Sequence, residues 1–227
     1  LNAAQHQTEI AYRAGDLVRM WQLLDEMRAL SAAIDQPGAR QTVAYNEMRL
    51  ATYEGDWTTV LRLAQELSSS QQARSDPAVA WLPLANLGLA YMKLGAYDEA
   101  YTVAQQAVAA SEEAHILGLG ARVLLARLEL WHGNRTQART ILLDILETPN
   151  PLIGQVEVVS PALALVRCYV ADNDDENARR WARRAAQAAV QVGLPILYPM
   201  AQVAGALTDV AAGRYEDARK SMLYPLE

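Results

Sequence analysis

This sequence predicts an all-α fold in which a pair of helices is repeated along the chain. Three observations lead there. Breaks centred on glycine or asparagine fall at Gly15-Asp16, Gly55-Asp56, Gly95, Gly133-Asn134, Asn173-Asp174 and Gly213-Arg214, at spacings of 40, 40, 38, 40 and 40 residues. On both sides of each break the apolar residues lie three and four apart, the period of one helix face. Phenylalanine is absent and alanine is abundant, which favours close helix–helix packing over a bulky globular core. Six helix–turn–helix units follow, placed at about residues 1–38, 39–74, 75–114, 115–151, 152–192 and 193–227.

The first unit pairs residues 2–14 with 16–34, and Gln36-Pro37-Gly38 is expected to close it, since proline and glycine both disfavour helix continuation. The second pairs 41–54 with 57–71. The third opens at Ser75-Asp76-Pro77, a capping residue followed by proline in the first turn, and Pro83 is expected to kink that helix or delay its start. Residues 117–132 and 135–147 form the fourth unit, ended by Pro149-Asn150-Pro151. Residues 150–159 read as the longest irregular connection, with the fifth unit starting at Ser160-Pro161 and its second helix covering 175–192. The sixth spans 195–212 and 215–224, with Pro199 near its first turn. No hinge-like or low-complexity stretch divides the chain, so one continuous domain, residues 1–227, is expected.

The most complete unit is residues 84–107, LANLGLAYMKLGAYDEAYTVAQQA. Its Leu84, Leu87-Gly88, Tyr91, Gly95, Tyr97, Ala100 and Ala107 resemble the tetratricopeptide (TPR) repeat, with Leu84 at the family's usual Trp position. The sixth unit also matches well, whereas the first, second and fifth depart at several positions. The period near 40 exceeds the usual 34 and overlaps HEAT-type arrays, but the Gly-x-[Tyr/Trp]-x-x-Ala turns favour the TPR-like reading. The resemblance implies a right-handed α-solenoid of about six units whose first helices line a concave wall.

Positions ten, six, three and two before each break project onto one helical face, the expected wall. The first unit supplies Gln5, Glu9, Tyr12 and Arg13. The second supplies Tyr45, Arg49, Thr52 and Tyr53, with Asn46 beside them, and the third Ala85, Leu89, Met92 and Lys93, with Asn86 alongside. The fourth gives Val123, Arg127, Leu130 and Trp131, and the fifth Leu163, Arg167, Val170 and Ala171. Arg49, Arg127 and Arg167 share one repeat position, and arginine near Tyr or Trp is favoured in recognition surfaces. Such a wall would hold an acidic or carboxylate-bearing peptide; the plainer alternative is that the arginines pair with neighbouring acids or face water. Asn46 and Asn86 match the asparagine of the peptide-terminus clamp of chaperone-binding TPRs in one respect, but the clamp's lysines do not follow.

Other groups read as structural. Arg179, Arg180, Arg183 and Arg184 with Trp181 form a basic stripe, but the acids Asp174, Asp175 and Glu176 at the helix start suit the helix dipole and a solvated face. Asp172 to Glu176 lacks the glycine and the distal glutamate of a calcium loop and reads as a turn with an N-cap. His6, His115 and His132 lie in different units without ligand spacing, so no metal is expected. The single cysteine, Cys168, sits in an apolar helix and suits a reducing compartment. No phosphate-cradling, dinucleotide or nucleophile motif is present, so neither a cofactor nor catalysis is expected. Trp21, Trp57 and Trp81 read as packing residues.

With 52% hydrophobic and 20% charged residues the chain is an ordered domain. The net charge of −6 argues against direct nucleic-acid binding, and no run is long and apolar enough for a membrane span. A cytoplasmic setting is expected. Leu1 in place of Met, and an end at Tyr224-Pro225 without a polar cap, lead to the expectation of a segment of a longer protein. The degenerate array resembles the sensor arms of large bacterial signalling ATPases and of LuxR-type ATP-dependent transcription activators. That resemblance implies a non-catalytic scaffold that binds a protein or peptide segment and controls a distant module. The alternatives are a sensor for a small-molecule inducer, with a pocket near Tyr53, Trp131 and residues 150–159, and self-association through open repeat ends.

Overall fold

The computed structural model describes residues 2–34, 36–147 and 154–223. The side chains of Glu9, Tyr12 and Arg13 and most of the connection at residues 148–153 lie outside the described part. Among the described residues the chain is all-α, with no strand, and has the TPR-like solenoid class of fold. The helices are α1 (Asn2–Ala14), α2 (Leu17–Ile34), α3 (Pro37–Glu54), α4 (Trp57–Ser68), α5 (Gln71–Ser75), α6 (Pro77–Lys93) and α7 (Tyr97–Glu113). They continue with α8 (Leu119–Trp131), α9 (Arg135–Glu147), α10 (Gln155–Ala171), α11 (Asp175–Val192), α12 (Tyr198–Ala211) and α13 (Tyr215–Leu223). A single 3-10 turn, Pro195–Leu197, precedes α12. The chain falls into two compact units, residues 1–124 and 125–227, divided within α8.

All six breaks share one geometry. Gly15, Gly55, Gly95, Gly133, Asn173 and Gly213 have φ between 57° and 87°. The following N–H donates to the carbonyl five residues back: Asp16 to Ala11 at 2.9 Å, Asp56 to Ala51 at 2.9 Å, Ala96 to Tyr91 at 2.9 Å, Asn134 to Glu129 at 2.8 Å, Asp174 to Tyr169 at 2.9 Å and Arg214 to Asp209 at 2.8 Å. This is the Schellman end of a helix, which satisfies carbonyls that the helix leaves unbonded. A Cβ at such a φ meets the following carbonyl, so glycine is favoured; asparagine, which tolerates this region, serves at 173.

The repeat is also visible in the core. Met20, Val60, Ala100, Ala138, Ala178 and Ala218, which occupy one register position in the second helix of each pair, are all buried. In the first unit, Ala11, Met20, Leu23, Leu24 and Leu50 join α1, α2 and α3. Met48, Ala51, Val60, Leu63, Ala64, Leu67, Leu87 and Ala90 then join α3, α4 and α6. Each first helix therefore closes one pair and opens the next, as stacking demands. A Cβ on Gly88 would stand 2.9 Å from Leu124 and 3.3 Å from the Ala100 carbonyl, so glycine sets how closely α6 and α7 approach. In the second unit Leu142, Ile145, Leu165, Trp181 and Ala185 are buried in the same manner.

Three proline expectations are corrected. Pro37 does not close the first pair but opens α3, in the first helical turn where its missing N–H costs nothing. Nor does Ser160-Pro161 start the fifth pair. Helix α10 begins at Gln155, so residues 155–159 are helical rather than loop, and Pro161 lies inside the helix. Burial of Val158, Val159 and Ala162 along that stretch outweighs one lost backbone bond. The short α5, capped by the Ser70 hydroxyl, was not anticipated, and α4 ends at Ser68. Pro83 does not delay α6, which starts at Pro77; it is buried within the helix. No described helix is long and apolar enough to cross a membrane.

Candidate functional site

In residues 1–124 the fold itself uses several of the expected wall residues. Proline has no N–H, so Pro83 leaves the Val79 carbonyl, four residues earlier in α6, without its helical donor. The Tyr45 hydroxyl of α3 donates to that carbonyl at 3.3 Å, and burial pushes the tyrosine pKa up to about 12. Asn46 is not on an accessible wall: it is 3% exposed, and its Nδ2 donates to the Thr42 carbonyl at 2.8 Å. Its Oδ1 has no partner among the described residues. Asn86 makes the equivalent bond within α6, to the Leu82 carbonyl at 2.9 Å.

Positions two before the break turn towards the preceding unit. Tyr53 packs at the Gly15 turn, where a Cβ would stand 2.8 Å from its hydroxyl. Lys93 sits 5.2 Å above the Trp57 ring, a cation–π contact across the array. Arg49 is half-buried on α3.

The second unit differs. Arg127 on α8 and Arg167 on α10 sit at the same register position. Arg127 is half-buried and Arg167 is exposed. Burial first, and the Arg167 guanidinium second, lower the pKa of Arg127. Among the described residues no carboxylate forms an ion pair with either, whereas Arg135, Arg179 and Arg214 are each paired with one. Trp131, one turn beyond Arg127, is 53% exposed, with its ring edge-on to His132 at 4.8 Å.

Several features escaped the sequence reading. Asp172, which reads only as part of a turn, accepts from both Arg135, at 3.1 Å, and Arg139. These residues border an open cavity of about 560 Å3 with Gly133, Asn134 and Gln137. The basic stripe of α11 splits in two. Arg180 and Arg184 lie over Trp181, at 5.7 and 4.8 Å, and Arg184 also donates to the Leu146 carbonyl. Arg179 and Arg183 instead rim a furrow of about 310 Å3 floored by Ala182, Ala186, Ala201 and Gly205. Cys168 is buried, and burial pushes its pKa up to about 11, so it is a packing residue. Residues 150–153 of the expected small-ligand pocket lie outside the described part.

This geometry is that of a known class of fold. The quorum sensor NprR from B. thuringiensis, in its apo form, superposes with a TM-score of 0.66 at 15% identity, covering 96% of this chain and 62% of NprR. BtubC from P. vanneervenii superposes with a TM-score of 0.59 at 18% identity, covering 92% of this chain and 87% of BtubC. At these identities the likeness establishes the TPR-like helical-repeat fold. The chain spans about 62% of the length of NprR. No protein-family profile matches the sequence, and no curated protein matches it.

Proposed function

We propose that this chain is a regulatory binding domain whose second unit receives a protein or peptide segment along α8 and α10. One observation carries the reading: Trp131 of α8 and Arg167 of α10 are exposed, whereas Tyr45, Asn46 and Asn86 bond to backbone carbonyls within the fold. Interface energy concentrates in a few arginine and aromatic anchors, and a surface preorganised on helices loses little entropy on binding. In this reading the chain carries out no chemistry of its own and needs no cofactor. Its likeness to a quorum sensor supports a sensing role within a larger bacterial signalling or transcription-regulatory protein, in a cytoplasmic setting.

Selection of peptides from a random display library on the whole chain tests this. Enrichment of sequences that bind the parent chain at least tenfold more tightly than a Trp131→Ala variant is the expected result. Sequences bound equally by both would remove the α8–α10 face from the account. A second reading, a small-molecule sensor, draws on the open cavity beside Arg135 and Arg139. Titration of metabolites against intrinsic tryptophan fluorescence separates the two.

A further inference from the structure

The furrow along α11, α12 and α13 joins an apolar floor to a basic rim. Helices α11 and α13 both pack on α12 and leave a strip of it uncovered. Small side chains keep that strip open: Ala182 and Ala186 stand one turn apart on α11, and Ala201 and Gly205 one turn apart on α12. Two turns of α12, from Ala201 to Thr208, give a floor about 10 Å long at the helical rise. Nothing in the packing asks for glycine at 205. Glycine inside a helix is less favourable than alanine, yet a Cβ there would meet nothing within 4 Å, whereas Gly88 is hemmed in by Leu124 and the Ala100 carbonyl. In a protein of net charge −6, the lining carries three arginines, Arg179, Arg183 and Arg214, and one carboxylate, Asp209. Asp209 accepts from Nε and Nη2 of Arg214, at 3.1 and 2.7 Å, so its charge is answered. Arg179 pairs at 3.3 Å with Asp175, an exposed partner one turn back that competes only weakly with a ligand. Arg183 is exposed; its Nε donates to the Arg179 carbonyl at 3.4 Å, and no carboxylate pairs with it among the described residues.

We infer that this furrow is a binding site for a small amphipathic anion, a medium-chain aliphatic carboxylate such as octanoate. Its volume of about 310 Å3 lies at the lower end of the range for small-molecule pockets, which join an apolar lining to a few placed polar groups. The floor of methyl groups offers no aromatic face and suits a straight alkyl chain, each methylene of which gains by leaving water. The hydroxyls that reach the furrow make no demand on that chain. Thr208 is buried and donates to the Gly205 carbonyl at 2.8 Å, and Ser221 donates to the Asp217 and Ala218 carbonyls at 3.0 Å. The head group goes to Arg183, whose planar fork donates two parallel, charge-assisted bonds to a carboxylate. The site draws on no residue of the α8–α10 face.

Isothermal titration calorimetry of the whole chain, at neutral pH and constant ionic strength, tests this with sodium octanoate, sodium butanoate and 1-octanol. Octanoate should saturate with a Kd of about 1 mM, the scale for so small a ligand in an open furrow. Butanoate, with a shorter chain, should bind at least about tenfold more weakly. Octanol, which has the chain without the charge, should give no saturable heat up to its solubility. Arg183→Gln should weaken octanoate about fivefold to tenfold. Arg180→Gln, on the same helix but off the furrow, should leave it intact. Gly205→Leu fills the floor and should abolish octanoate binding while holding or raising the Tm, because its side chain enters open space and leucine favours a helix. If Gly205→Leu does not fold, Arg183→Gln at its exposed position carries the comparison. Octanoate heat that never saturates, or butanoate or octanol bound as tightly as octanoate, overturns the inference. So does octanoate binding that survives unchanged in Arg183→Gln or in folded Gly205→Leu, or that Arg180→Gln weakens equally.

Discussion

Tyr45 shows how a residue that reads as a ligand contact can be committed to the fold. Its hydroxyl answers the one carbonyl that Pro83 leaves bare. Tyr45→Phe should therefore cost about 1–2 kcal/mol in denaturant unfolding, the range for an unmet buried acceptor. Restoring an N–H with Pro83→Ala should recover much of that loss, so the two substitutions should be strongly non-additive. Additive effects would mean that the hydroxyl and the proline are independent. The tyrosine also sets a pH signature. Its folded pKa of about 12 lies above the ordinary 10.0, so the neutral hydroxyl favours the folded state. That contribution is complete below about pH 10 and disappears as the pH rises towards 12. Tyr45→Phe should accordingly lose less stability than the parent chain over that alkaline window.

At the level of the helix pair, the turns were legible because their physics is local. A left-handed residue after an apolar helix asks for glycine or asparagine whatever surrounds it. Gly95→Val, with φ fixed at 87°, should cost at least about 1–2 kcal/mol. Asn173→Gly should leave stability level or higher. Capping is equally local. Asp174 accepts from the Asn177 backbone N–H at 3.1 Å and side chain at 2.8 Å, bonds that hold its pKa below the usual value. A lowered carboxylate pKa stabilises the fold above the ordinary value and ceases to do so as the pH falls through the lowered one. Asp174→Ala should thus lower the Tm at pH 7 and change it much less at pH 2.

Helix starts were less legible where packing outweighed a local signal. Pro161 looks like the first residue of a helix, yet Val158 and Val159 are buried by neighbours that the local sequence does not reveal, and α10 extends six residues before it. The wall projection failed for the same reason. Register placed Tyr45 and Asn46 on the correct helix, but their outcome depended on Pro83 in the next unit and on burial between helices.

Over the whole molecule, the account assigns different work to surfaces that repeat the same helix pair. In residues 1–124 Tyr45, Asn46 and Asn86 hold helices together, and the proposed binding face lies in residues 125–227. Hydrogen exchange on the complete chain, with and without a peptide selected from a random library, tests this division most directly. The account predicts that peptide slows exchange in residues 125–131 and 163–171, with residues 41–54 unchanged. Protection confined to residues 41–54, or to residues 179–186 and 201–209 around the α11–α12 furrow, would contradict it.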